Sequence, residues 1–109
     1  MTLYEYQQLA STTAVYPNTG NNLHYPVLGL GGEVGEVLNK IKKIERDSGG
    51  VLTDETREAQ KSELGDVMWY LSALACELKL NLDDIAQCNI EKLLSRKERG
   101  TIHGSGDAR

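Results

Sequence analysis

Two acidic pairs, Glu33-x-x-Glu36 and Glu63-x-x-Asp66, constrain this chain more than any other feature. Residues three apart on a helix project from one side, about one turn from each other. Both pairs are set in apolar sequence, with Val34, Val37 and Leu38 around the first and Leu64, Val67 and Met68 around the second. Acids that only keep a helix soluble lie on its far face, whereas these flank the apolar stripe. Packing of the two helices through their stripes would bring four carboxylates together at the edge of one core. Such a cluster cannot stay ionised in a poorly hydrated place unless cations neutralise it. A ligand set of hard oxygens points to Mg²⁺ or Mn²⁺.

The rest of the chain reads as helices joined by short breaks. Leu3, Tyr6, Leu9 and Ala10 recur at helical spacing, predicting a first helix over residues 3–15 that ends before Pro17. Asn18 to Tyr25 is rich in Asn, Gly and Thr and reads as a loop carrying His24, with Pro26 leading into the second helix. Gly29, Gly31, Gly32 and Gly35 crowd the start of that helix, although each costs about 1 kcal/mol against Ala. They either admit a close neighbour or mark a frayed start. The second helix continues to about Arg46 and is broken by Ser48-Gly49-Gly50.

Thr53 caps the third helix, which runs to about Leu78 with Leu64, Val67, Met68, Leu71, Leu74, Ala75 and Leu78 as its apolar face. Tyr70 follows Asp66 by one turn. Asn81 caps a fourth helix, with Asp84 placed for a capping box and Ile85, Ala86, Ile90, Leu93 and Leu94 as the buried face. Gly100 stops it ahead of a Gly-rich tail. No strand, repeat or linker is evident, and the class is all-α.

Composition narrows the function. The chain has 109 residues and a net charge of −4, with a pI near 5.1. One domain fits that length, and the acidic balance argues against nucleic acid or an anionic membrane as a partner. No apolar run is long enough to span a bilayer, and the N-terminus does not read as a signal peptide. Cys76 and Cys88 form no metal-binding spacing and read as small apolar fillers in a reducing cytoplasm. With no Phe and one Trp, the core is modest, which suggests that apolar surface is buried between subunits.

Several chemical readings fail. The glycine stretch lacks a GxGxxG pattern, a preceding strand and the Lys-Ser/Thr of a phosphate loop. His24 and His103 are not three residues after a Glu, as a di-iron bundle requires. A second group remains: Asn89, Lys92, Arg96 and Arg99 share one side of the fourth helix. Carboxylate-held metal facing this cationic stripe suits a polyphosphate.

These motifs together resemble those of the MazG-type all-α nucleotide pyrophosphohydrolases. The likeness rests on the two acidic pairs, with 26 residues between them, within LGLGGEVGEV at 28–37 and ELGDVMWYL at 63–71, and on NIEKLLSRKERG at 89–100. The tail GTIHGSGDAR is similar to the ending of small single-domain members, so the resemblance covers most of the chain from about Tyr6 onward.

It implies a four-helix, MazG-like bundle completed as a homodimer or homotetramer. The implied reaction takes a nucleoside triphosphate to the monophosphate and pyrophosphate. Glu33, Glu36, Glu63 and Asp66 would then hold Mg²⁺, with Glu33 or Glu36 positioning or deprotonating the attacking water. Asn89, Lys92 and Arg96 would bind phosphate, assisted by Lys40 and Lys43. Tyr70, Trp69 and His24 are candidates for the nucleoside. Within the same superfamily, phosphoribosyl-ATP, dUTP or dCTP are alternative substrates, and a non-catalytic metal-binding oligomer is the alternative of a different class.

Overall fold

Local capping chemistry sets the ends of four helices. The computed structural model describes all 109 residues. Helix α1 spans Leu3–Ser11, with the Thr2 hydroxyl accepting from the Glu5 amide at 3.0 Å. It is shorter than its apolar spacing predicts. The hydroxyls of Thr12 and Thr13 donate to the carbonyls of Leu9 and Ala10 at 2.6 and 2.7 Å, and such local bonds compete with helix propagation.

Helix α2 spans His24–Ser48, so His24 and Tyr25 belong to its first turn and not to the preceding loop. Pro26 is tolerated there because the first-turn amides need no helical acceptor. Gly49 ends α2 at φ +58°, the left-handed conformation that glycine adopts without strain.

Helix α3 spans Asp54–Glu77, and α4 spans Leu82–Glu98. Thr53 and Thr56 cap α3 reciprocally. The Asn81 side chain caps α4 by accepting from the Asp83 amide at 2.7 Å, but neither bond of the expected capping box with Asp84 is made.

Helices α2 and α3 form an antiparallel hairpin and make the most extensive helix–helix contact, and α1 packs on both α3 and α4. Gln7 fastens the second of these junctions. Buried in α1, it donates to the Leu80 carbonyl at 2.8 Å and accepts from the Leu82 amide at 2.9 Å. Tyr16, Pro26, Ile44, Ala73, Ala75 and Leu82 supply the small apolar interior.

The apolar stripes lie elsewhere than their periodicity predicts. Leu38 on α2 and Leu64 on α3 are 66% and 56% exposed, and Met68, Leu71 and Leu78 are exposed as well. On α4, Ile85, Ile90, Leu93 and Leu94 face solvent, and the residues buried are Leu82 and Arg96. Both cysteines are exposed and so do not act as core fillers. No helix is long and apolar enough to cross a membrane.

Candidate active site

The α2–α3 seam, and not the apolar stripes, brings the acids together. Carboxylate oxygens of Glu33, Glu63 and Asp66 lie within 4.8 Å of one another. Glu33 comes from α2, the other two from α3, and their helical spacing turns all three into the seam. Glu36 stands outside that group and is exposed, although its charge still acts on Glu33.

Crowding of like charges has a measurable sign. Desolvation first, then the charges of Asp66, Glu63 and Glu36, push the Glu33 carboxyl above the ordinary glutamate value. Lys40, seven residues beyond Glu33 and so two turns along the same face, answers part of this charge. Its Nζ lies 2.7 Å from Glu63 Oε1. That hydrogen bond, with the surrounding carboxylates, raises the Lys40 pKa further and keeps it cationic. Sequence spacing singled out Lys40 for phosphate; the structure gives it Glu63 as a partner. Lys43 borders an adjacent open recess of about 220 Å³ together with Lys40, Asp47, Ser48 and Thr56, and its charge acts on the Asp47 carboxylate.

An open cleft of about 340 Å³ adjoins the acids, lined by Glu33, Asp66, Trp69 and Tyr70. The Tyr70 ring lies directly against Gly29, where a side chain would overlap it. One of the four crowded glycines therefore admits a close neighbour, while Gly31, Gly32 and Gly35 have none within reach. Trp69 meets Tyr70 edge-on, with centroids 5.0 Å apart, and its Nε1 donates to Thr13 Oγ1 at 2.8 Å. Trp69 is thereby a wall tied to the end of α1, and Tyr70 is the ring beside the acids. Burial raises the Tyr70 pKa, with Tyr25 and Glu33 adding to it, so its hydroxyl stays protonated. His24 sits at the first position of α2, five residues before Gly29.

The basic stripe of α4 is not brought to the acids within one chain, because α4 packs on α1 and makes no substantial contact with α2 or α3. Asn89 and Lys92 are exposed. Arg96 departs from the expected exposed stripe: it is 4% exposed, and its Nη2 donates to the Asp107 carbonyl at 2.8 Å. The tail after Gly100 covers it.

A residue that spacing passed over is Glu77. Its carboxylate accepts from the Tyr16 hydroxyl, from the Gly20 amide at 2.8 Å and from the Asn22 amide at 3.1 Å. It fixes the 16–22 loop beside Trp69. At the end of a helix, Glu77 looks like an ordinary solvated acid; only its position after the apolar run of α3 hinted at an inward face.

Comparison with known proteins agrees with this architecture. The model of the MazG nucleotide pyrophosphohydrolase domain matches residues 24–101, from the start of α2 to just past α4. The chain is also similar to the Gene 37 protein of Mycobacterium phage L5, with 51% identity over 109 aligned positions that cover 95% of this chain and 96% of that relative. No solved structure matches it significantly. The matched span contains the acidic cluster, its cleft and the α4 stripe, and the chain belongs to the MazG nucleotide pyrophosphohydrolase domain family.

Proposed function

We propose that this protein hydrolyses a nucleoside triphosphate, ribo or deoxy, to the nucleoside monophosphate and pyrophosphate, with Mg²⁺ as its cofactor and Mn²⁺ as a substitute. The observation that carries this reading is the convergence of Glu33, Glu63 and Asp66 oxygens within 4.8 Å beside an aromatic-walled cleft. Three mutually repelling carboxylates with one lysine among them suit a hard divalent cation; Glu36, one turn along α2 and outside that group, is the fourth ligand proposed. When bound, such a cation supplies Lewis-acid charge to phosphoryl oxygens and makes hydroxide accessible at neutral pH.

The chain's own residues supply the rest. Glu33, whose carboxyl is held above the usual range, is suited to accept the proton of the attacking water; Glu36 is the alternative. Water oxygen bonds to the α-phosphorus, the bond from that phosphorus to the bridging oxygen breaks, and pyrophosphate leaves. Lys40 and Lys43 neutralise the β- and γ-phosphates. Tyr70 stacks on the base, with Trp69 as the back wall and His24 at the rim. Because α4 turns away from its own chain's acids, Asn89, Lys92 and Arg96 meet phosphate from a second copy, in a homodimer or homotetramer. The activity belongs in the cytoplasm, where nucleoside triphosphates are made and used.

A panel of canonical and modified nucleoside triphosphates with Mg²⁺ tests the reading, run with wild type, Glu33→Gln and Glu36→Gln. Products are resolved as monophosphate plus pyrophosphate or as diphosphate plus phosphate. Wild type should give only the first pair, and Glu33→Gln should lose at least about 10²-fold in rate. Turnover confined to phosphoribosyl-ATP, dUTP or dCTP would narrow the substrate. Absence of turnover by folded, metal-binding protein would leave the non-catalytic oligomer.

A further inference from the structure

The segment after α4 is an ordered loop built around Arg109. Gly100, at φ +70°, turns the chain out of the helix, and the Thr101 amide donates to the Arg96 carbonyl at 2.8 Å. The Arg109 guanidinium then donates to three carbonyls: Thr101 at 3.1 Å, Gly106 at 2.6 Å and Ile102 at 3.0 Å. Gly104 packs on the Arg109 side chain, where a Cβ would lie 2.7 Å from Cδ. These bonds close residues 101–109 into one unit that lies back against α4.

What this unit presents to α4 is an anion. Asp107 Oδ1 lies 3.8 Å from Lys92 Nζ and 3.7 Å from Arg96 Nη2, while Arg96 Nη2 donates its hydrogen bond to the Asp107 backbone carbonyl. The Asp107 side chain is 96% exposed and contributes no packing. Its carboxylate stands between two cations with a charge and oxygen geometry that a phosphate shares. Arg96 itself is closed off from solvent by the loop.

We propose that residues 101–109 form an internal strap whose Asp107 carboxylate occupies the anion position of Lys92 and Arg96, and that a substrate phosphate must displace it. The proposal rests on the reading of Lys92 and Arg96 as phosphate ligands. Access to the α4 cations is then governed by the loop. A diffuse surface charge would not be selective, whereas the strap predicts competition between one named carboxylate and the phosphate.

The test uses inorganic pyrophosphate as the probe, without divalent metal, by titration calorimetry on wild type, Asp107→Asn, Lys92→Gln and the double variant. Asp107→Asn should bind pyrophosphate about two- to five-fold more tightly, the worth of an exposed ion pair, and the gain should vanish in the Lys92→Gln background. Gly104→Ala, which forces Arg109 aside, should also tighten binding by uncovering Arg96. Binding lost in Lys92→Gln but unchanged or weakened in Asp107→Asn would overturn the strap while leaving Lys92 as a phosphate ligand. A gain that persists without Lys92 would reduce Asp107 to general charge repulsion and equally sink the proposal. Failure of every variant to bind would remove the phosphate reading of α4, and the strap with it.

Discussion

Glu33 carries an electrostatic consequence for stability, because its carboxyl ionises at a higher pH in the folded chain than in the unfolded one. The folded state therefore binds the extra proton, and the part of the metal-free chain's stability that Glu33 contributes is fully present below the unfolded glutamate pKa. It declines as pH rises through the folded value. A divalent cation reverses that penalty and stabilises by mass action, by about 2.7 kcal/mol at a hundredfold excess over Kd. Melting scans with and without Mn²⁺ should show this rise in wild type and lose most of it in Glu33→Gln; an equal rise in both would exclude Glu33 as a ligand. A steric prediction concerns Gly29→Ala. The added methyl group must displace the Tyr70 ring, which costs about 1–3 kcal/mol of overpacking and should raise KM for the nucleotide more than it lowers kcat. Glu36, expected as a fourth member, stands outside the cluster, but Glu33, Glu63 and Asp66 were legible because helical spacing is a local property. Arg96 was not, since a basic residue three or four from its neighbours gives no sign that a loop eleven residues on will cover it.

Elements fared differently from their connections. All four helices follow from apolar period, Pro17, the glycine breaks and the Thr53 and Asn81 caps, and α3 ends within one residue of expectation at Glu77. The boundaries that shifted are those where side-chain hydroxyls or a tolerated first-turn proline outweigh a simple reading: the end of α1 and the start of α2. The 16–22 segment was recognisable as a loop from its Asn and Gly content, but its anchor on Glu77 lies at least 55 residues away and leaves no local trace. The Tyr16 hydroxyl bond, with the Gly20 and Asn22 amides, holds the Glu77 carboxyl below the ordinary range. Its contribution is thus fully present above the unfolded glutamate pKa and is lost as pH falls through the depressed folded value. Tyr16→Phe removes one hydrogen bond to a charged acceptor, at about 1.5–3 kcal/mol. The melting temperature should fall by roughly 6 °C or more, with acid sensitivity reduced. An unchanged melting curve would mean that the loop is held by other contacts.

At the scale of the whole molecule, one chain alone leaves much of its apolar surface uncovered. A folded monomer of 12.0 kDa exposes roughly 6,000 Å², whereas this chain exposes 7839 Å². Its radius of gyration is 16.9 Å, against about 13 Å for a self-contained domain of this length. The excess, on the order of 1,800 Å² per chain, is more than the roughly 800 Å² each partner buries in a standard interface. Where the helical periods call for burial, Val34, Leu38 and Ile41 on α2 and Leu64, Met68 and Leu71 on α3 are all exposed. A groove of about 520 Å³ lined by Ile41, Leu52, Leu64 and Met68 runs between them. The apolar stripes, expected to pack α2 and α3 together, are exposed in the single chain, since periodicity does not say which surface, or which chain, supplies the cover. The proposed second copy would cover this face and would bring α4 cations to the acids. Sedimentation equilibrium at micromolar concentration should give a dimer or tetramer, and the melting temperature should rise with protein concentration. Leu38→Glu and Leu64→Glu, at sites that cost the lone chain little, should shift the protein toward monomer and abolish turnover although every acid of the cluster remains. A wild type that stays monomeric, stable and active would show instead that the α2–α3 face is solvated in the working enzyme, and that Asn89 and Lys92 are not part of its site.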